Sequence, residues 1–480
     1  MEQRDGRLYL SPSDLNGFLA CEHRTALDLA RARGELQLER IPRPDAELIA
    51  ERGREHEAAY LAGLEYEGYD VVRIARDTSI GAAALATEEA MRTGREVIYQ
   101  AAFQGGNWRG VADFLLRVDT PSDLGEFSYE PADAKLATHP RPYVVFQLLF
   151  YADMLAALQG LHPAHVHVIL GDEQVRSLRP RDFAAYAERV QRRFLTTLRT
   201  YSKGAEPPYP YPVEHCAHCD WWARCRDRRR DDDHLSLVAF LTRTQAERLE
   251  ATGTRTVAEL AALGEEVTVP RIGSGTLGGL RAQARLQVAS RGLPQPVFER
   301  RAPEPGRGFA LLPEPSSGDV FFDIEGDPYW SPEGLEYLFG SLTADGHGAL
   351  WAHDREQERA IFERWVDWIS VRLEVHPDLH IYHYNHYEPT AIKTLMARYG
   401  SREREVDDML RRKVFVDLYT VVRQALRIGT ESYSLKAVEA LYPLERDAAV
   451  TDAGGSILAY QQWLETGDDA TLRAIAAYNA

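Results

Sequence analysis

One stretch limits the architecture before any other. Residues 301–318 read RAPEPGRGFALLPEPSSG. Proline and glycine at that density interrupt helices and central strands, so a linker is expected there. VFFDIEGDPY comes directly after it and starts a new apolar strand. At 480 residues the chain is also too long for one core, and two or three domains are implied.

Composition narrows the class. Hydrophobic residues at 44% and charged residues at 27% are ordinary for a globular chain. The start, MEQRDGRLYLSPSDL, has charges and no apolar core, unlike a signal peptide. No uninterrupted run of eighteen apolar residues is seen, so no membrane span is expected. The expectation is a cytoplasmic, reducing location, where clustered thiols read as metal ligands rather than disulfides. The net charge of -17 excludes an overall basic coat for nucleic acid. It leaves local basic tracks such as RCRDRRR (Arg224 to Arg230), which reads equally as a solvated helix end.

Periodicity places the elements. SPSDLNGFLACEHRTALDLARARGEL is helical, with Cys21 on the helix or at a break in it. DAELIAERGREHEAAYLAGLEYEG is a second helix carrying His56. REVIYQAAFQGGNWRGVADFLLRV reads as two strands joined at Gly105-Gly106-Asn107, and GEFSYEPADAKLA as a third. YVVFQLLFYADMLAALQG is a helix apolar nearly all round, hence buried. HVHVIL is a strand, and FAAYAERVQRRFLTTLRTYS a helix. Past the linker come helix REQERAIFERWVDWISVRLEVH, strand LHIYHYN, helix EPTAIKTLMARYG and the strand-like KVFVDLYTVVRQAL.

Asp113 is an acid inside an apolar strand, and an unpaired buried carboxylate is costly. Asp133 and Lys135 are two apart on a strand and share a face. Two carboxylates with a lysine suit metal-assisted phosphodiester hydrolysis: the acids hold Mg²⁺ or Mn²⁺ and the lysine offsets developing charge. A structural salt bridge uses the same residues. Gln147 and Tyr151, at i and i+4, lie on one face of the following helix.

Together with His56, these residues resemble the RecB-like branch of the PD-(D/E)xK nucleases. The resemblance implies His56, Asp113 and Asp133 as metal ligands and Lys135 as the catalytic lysine. It gives Gln147 and Tyr151 the task of holding the DNA strand or the lysine.

The cysteines form C-x2-C-x5-C at Cys216, Cys219 and Cys225, with Cys21 far upstream. Four thiolates suit zinc or a [4Fe–4S] cluster, and His215 with His218 offer a local zinc alternative. One cysteine before and three after the nuclease motifs resemble the iron–sulfur staple nucleases, the AddB and CRISPR-associated exonuclease type. That resemblance covers roughly residues 8 to 230 and implies a cluster on all four cysteines.

TRTQAERLEATGTRTVAELAAL and PRIGSGTLGGLRAQARLQV resemble helix-hairpin-helix units, with Arg271, Gly273 and Gly275 at the turn. Such units offer helix N-termini to phosphate, and a plain helical spacer fits the same pattern. In VFFDIEGDP, Asp323 and Glu325 share a strand face and resemble the first motif of the RNase H-like DEDD exonucleases. YHYNHYEPTAIKTL places Glu388 where that family has Asp. Asp417 matches an acid often found on the next element, and Tyr478 a late Tyr-x-x-x-Asp motif whose Asp would fall beyond Ala480. Asp468 and Asp469 precede Tyr478 in the wrong register. The chain is thus expected to be the N-terminal part of a RecB-like nuclease–helicase.

The expected fold is α/β. Residues 1–230 form a PD-(D/E)xK restriction-endonuclease-like domain, 231–300 a helical spacer, and 319–480 an RNase H-like, DEDD-type domain that is C-terminally incomplete. The expected activity is metal-dependent hydrolysis of single-stranded or end-frayed DNA, in repair, recombination or defence. The expected partners are DNA and a helicase, in the same protein or in trans. A nucleic-acid-binding scaffold without turnover is the alternative.

Overall fold

The computed structural model describes residues 1–39, 41–331, 333–442, 450 and 452–480. Contacts divide the chain into two units: Met1–Ala223 with Tyr329–Glu333, and Arg224–Pro328 with Gly334–Ala480. Residues 301–318 lie in the second.

The first unit is built on a six-stranded sheet whose strands follow chain order across it. They are β1 (Val71–Arg73), β2 (Val97–Gly105), β3 (Trp108–Val118), β4 (Ser128–Lys135), β5 (Val166–Leu170) and β6 (Val175–Leu178). β1–β2 and β4–β5 are parallel and the other pairs antiparallel. The β2–β3 ladder closes at Gly105 and Trp108, leaving a two-residue turn with Gly106 at φ 57°.

Six helices accompany the sheet: α1 (Pro12–Ala20), α2 (Glu22–Ala32), α3 (Pro44–Tyr66), α4 (Ile80–Arg92), α5 (Pro142–Gln159) and α6 (Ala184–Ser202). The single N-terminal helix expected from the sequence is two helices, broken at Cys21, which caps one and starts the next in extended backbone. Helices α4 and α5 share one core, Met91, Val144, Leu148 and Leu155 packing with Ile98 and Tyr129. Helix α3 packs through Leu61 and Leu64 on Val97, Phe114, Ala132 and Ile169. Helix α5 is long and apolar enough to cross a membrane, contrary to the expectation of no such segment. Its buried residues, however, lie in the core of this unit.

In the second unit, α7 (Arg243–Glu250), α8 (Val257–Ala262) and α9 (Ser274–Ala289) form the small helical part. Arg271 lies in the α8–α9 turn at φ 64°, its carbonyl accepting from Arg248 Nη1 at 2.8 Å. Gly273 caps α9 and Gly275 lies in its first turn.

A five-stranded sheet comes next, ordered β9 (Gly346–Trp351), β8 (Leu335–Thr343), β7 (Val320–Asp327), β10 (Ile381–His383), β11 (Phe415–Asp417). Strands β7, β8 and β9 are antiparallel; β10 and β11 join in parallel. Around it lie α10 (Arg355–Val375), α11 (Tyr387–Tyr399), α12 (Glu403–Arg412), α13 (Leu418–Ala425), α14 (Ala453–Thr466) and α15 (Asp469–Asn479). Val320, Phe322 and Ile324 bury against α10 and α11, so the alternate residues Asp323 and Glu325 point to the other face. KVFVDLYTVVRQAL is not one strand: only Phe415–Asp417 pairs, and Asp417 then caps helix α13 by accepting from Tyr419 N at 2.9 Å.

Gln159 ties α5 to β4. Fully buried, it accepts from Tyr129 N (2.9 Å) and donates to Tyr129 O (3.2 Å) and Leu161 O (2.9 Å). Gln159→Leu removes every one of these bonds and is expected to cost about 2–4 kcal/mol, each buried polar group left unpaired costing about 1–3. Urea unfolding of the mutant and wild type measures it.

Candidate active site

The β3–β4 ladder stops at Phe114 and Ala132, just before the two acids. The β2–β3 ladder skips the Gln100–Asp113 pair, where Gln100 has φ 58°. Freed from its ladder, Asp113 turns its Oδ2 to the Ala134 N–H, 2.9 Å away. Asp133, fully buried, accepts from Gln147 Nε2 at 3.1 Å through Oδ1. Its Oδ2 is ion-paired with Lys135 Nζ, which also lies 3.9 Å from Asp113 Oδ2. Gln147 donates to the Tyr151 hydroxyl (3.2 Å), which donates to Val111 O (2.6 Å) and so fixes α5 against β3.

Burial, then the neighbouring Asp133, pushes Asp113 up to about 7. Burial alone would lower Lys135, but Asp133 and Asp113 hold it above its ordinary value. The structure therefore brings Asp113, Asp133, Lys135, Gln147 and Tyr151 together. Among the described residues, no hydrogen bond or ion pair joins His56 to this set. It rides on α3 one residue before Glu57, which accepts from the side chain of Gln100. Its buried Nε2 has no hydrogen-bond partner among the described residues.

A second set of acids gathers on β7. Burial raises Asp323 well above the carboxylate range, with Glu325 and Glu388 adding to it. Burial raises Glu325 to about 7; contacts from Ser456 and Asn479 oppose this, while Glu336 and Glu388 add to it. Glu388, in the first turn of α11, is 4% exposed, and its Oε2 lacks a hydrogen bond. The buried His383 Nδ1, 3.5 Å from that oxygen, lacks one too. Asn479 Nδ2 donates to Asp323 Oδ2 at 3.0 Å. It reaches there over Gly340, where any Cβ would lie 1.6 Å from Asn479 Oδ1.

Sequence reasoning missed Asn479, Ser456 and Glu336, which nothing in their local patterns marks. Asp417 is not part of this cluster. Its Oδ1 accepts from Asn385 N and Tyr419 N, both at 2.9 Å, so it holds the β10–α11 turn and caps α13. Tyr478 is half-buried next to Asn479 on α15, and Asp468 caps that helix.

Cys21 lies at the N-terminal helix break and the other three cysteines come after the sheet, yet Cys21 and Cys216 both act on Cys219. Burial pushes the Cys219 thiol up, and the nearby Cys216 and Cys21 add to that. Cys216 Sγ accepts from Val213 N at 3.4 Å. Cys225 lies on the helix Trp222–Asp231. Ordinary bonds already close the same loop: Trp221 Nε1 donates to Asp28 Oδ1 (2.9 Å), and His23 Nδ1 meets Pro208 O (2.7 Å). His215 Nε2 lies 2.6 Å from Arg24 Nη1, so the local zinc alternative meets a competing cation. Among the described residues, no three His, Cys, Asp or Glu side chains converge closely enough to form a metal site. In RCRDRRR, ion pairs join Arg226 to Asp227, Arg228 to Asp232 and Arg230 to Glu431.

A sequence model of the RNase_H superfamily matches residues 320–480, from β7 through α15. This stretch is an RNase H-like domain. Asp323, Glu325 and Glu388 all belong to it. The superfamily points to nuclease-type chemistry on nucleic acid, typically with divalent metal. No curated protein matches the chain.

Both acid sets fit hard cations. Mg²⁺ is commonly held by one or two carboxylates, water and substrate phosphate. Two adjacent buried carboxylates otherwise need a proton between them. This sets a pH dependence. Asp113, Glu325 and Glu336 keep their protons to about 7, whereas unfolded carboxylates lose them near pH ~4. Between those values the folded chain binds more protons than the unfolded one, so stability falls as pH rises through that window. In EDTA the melting temperature is expected to drop by several degrees from about pH 5 to about pH 8. Excess Mg²⁺ is expected to restore more of it at the higher pH.

Proposed function

We propose that the chain is a metal-dependent nuclease that hydrolyses phosphodiester bonds in DNA, acting on single-stranded or frayed ends. The observation that carries this reading is the pairing of buried carboxylates in both units, Asp113 with Asp133 and Asp323 with Glu325 and Glu388. The first centre is read as PD-(D/E)xK-type, because acid, acid, lysine and glutamine come together in the order of that motif. The second is the RNase H-like centre.

A bound Mg²⁺ or Mn²⁺ would neutralise phosphate charge and lower the pKa of water. The protein's own part is positional. Asp113 and Asp133 would hold the ion at the first centre, and the unpartnered ring nitrogen of His56 is the proposed third ligand. Gln147 fixes one Asp133 oxygen, and the Tyr151–Val111 bond keeps α5 seated. Lys135, charged and half-enclosed between the acids, is placed to shift from Asp133 to a phosphate oxygen and offset its developing charge. At the second centre Asp323, Glu325 and Glu388 would hold the ion, with Asn479 orienting Asp323 and Ser456 orienting Glu325.

The four cysteines are proposed to hold a [4Fe–4S] cluster. The spacing supports this, as does the approach of Cys21 and Cys216 to Cys219. A helicase, in a longer chain or in trans, is the proposed partner. A non-cleaving, DNA-binding role has one observation in its favour at the second centre: Asn479 occupies an Asp323 oxygen that a cation would use.

End-labelled single- and double-stranded DNA in Mn²⁺ tests the nuclease reading. Lys135→Ala is expected to slow cleavage roughly 100-fold or more while circular dichroism is unchanged. Cleavage equal to wild type would reject the first centre. Anaerobically purified protein is expected to be brown and to contain iron. Cys21→Ala is expected to lose that iron and melt several degrees lower. Colourless protein with stoichiometric zinc would replace the cluster.

A further inference from the structure

Glu336 and Tyr387 form a pair beside the second centre that the hydrolytic reading does not use. Glu336 stands on β8 and Tyr387 opens α11, one residue before Glu388. The Tyr387 hydroxyl donates to both Glu336 oxygens, at 3.0 and 3.2 Å. Yet the residue is 47% exposed. With its hydroxyl turned inward, the exposed part is the ring.

The backbone makes room for this contact. The β7–β8 register shifts between Glu325 and Gly326, bringing Glu336 opposite Gly326. A Cβ at Gly326 would lie 2.1 Å from Glu336 Oε2 and 2.9 Å from the Tyr387 hydroxyl. On the other side, Asn385 adopts φ 77°, and its N–H is held by Asp417. The turn that delivers Tyr387 is therefore fixed from both ends. Glu336 is itself backed by a buried network: its N–H donates to Glu358, which also binds Arg355 and Arg398.

A rigid, exposed aromatic face next to buried metal-binding carboxylates has a chemical meaning. A phosphodiester lying at Asp323, Glu325 and Glu388 carries a base within reach of its neighbours. Every nucleobase has a π-face, and stacking on an aromatic side chain is worth about 1–3 kcal/mol per base. A paired base inside a duplex has both faces covered; an unpaired one does not.

We propose that Tyr387, anchored by Glu336, is a stacking platform for an unpaired nucleobase adjoining the scissile phosphate of the RNase H-like centre. This makes it a specificity residue for single-stranded nucleic acid, and the idea rests on the nuclease reading of that centre.

The test is binding by the whole chain in Ca²⁺, using single-stranded oligonucleotides with 2-aminopurine at either end and the same strands ending in an abasic site. Wild type is expected to quench 2-aminopurine at one end and to bind the matching abasic strand roughly tenfold or more weakly. Tyr387→Ala is expected to lose both the quenching and the preference. Tyr387→Phe, which keeps the ring, is expected to retain most of the preference, showing that the alanine effect is not misfolding. A Tyr387→Ala protein that prefers base-ended strands as wild type does would overturn the platform. So would a wild type without terminal-base preference. The underlying centre is read separately, by Mn²⁺-dependent cleavage in a Lys135→Ala background with and without Asp323→Asn. Cleavage unaffected by Asp323→Asn would remove the centre without altering the binding result.

Discussion

Like charges forced together out of water organise this protein. Asp113 beside Asp133, and Asp323 beside Glu325 and Glu388, are arrangements that burial and mutual repulsion both oppose. A fold keeps such pairs only when neighbouring groups constrain them. Here the neighbours are specific: the Ala134 amide, the Gln147 amide and the Lys135 ammonium in one unit, and Asn479 and Ser456 in the other. The sheets supply rigidity, and the strand ends and a register shift supply the departures from regular pairing that let the acids meet.

Much of this was legible in the sequence because it is written at short range. Asp133 and Lys135 share a face by strand alternation, as do Asp323 and Glu325, and Gln147 meets Tyr151 by helical spacing. The RNase H-like character of residues 320–480 is likewise carried by the DIE strand and the elements after it. Hairpin β8–β9 and helices α4 and α12 escaped, since their alternation is diluted by glycine or alanine or their length is short. KVFVDLYTVVRQAL misled because its β-branched residues favour a strand, whereas Asp417 caps a helix there.

Contacts set by tertiary packing were beyond local pattern. Asn479 reaches Asp323 across 156 positions, through space left by a glycine on a neighbouring strand. Glu336 looks like any polar residue in an alternating strand until the bulge places it opposite Gly326. His56 stands between the two cases. Its helix is plain from periodicity, but the packing of α3 through Leu61 and Leu64, which leaves the ring nitrogen buried and unpartnered, is not written in the residues around it.

The register shift on β8 has a wider meaning. One surplus residue, Tyr337, lets Leu338 pair with Glu325 and Glu336 pair with Gly326 on the same two strands. Parity along β8 is thereby reset midway, so residues that strict alternation would send to opposite sides can serve one hollow. Tyr337 itself turns inward, stacking 4.1 Å from Tyr460, its hydroxyl on Ser456. A lineage can therefore alter which acids look into this hollow by gaining or losing one hairpin position, leaving the hydrophobic layer against α10 untouched. Length, rather than substitution, becomes the variable on which such a centre diversifies.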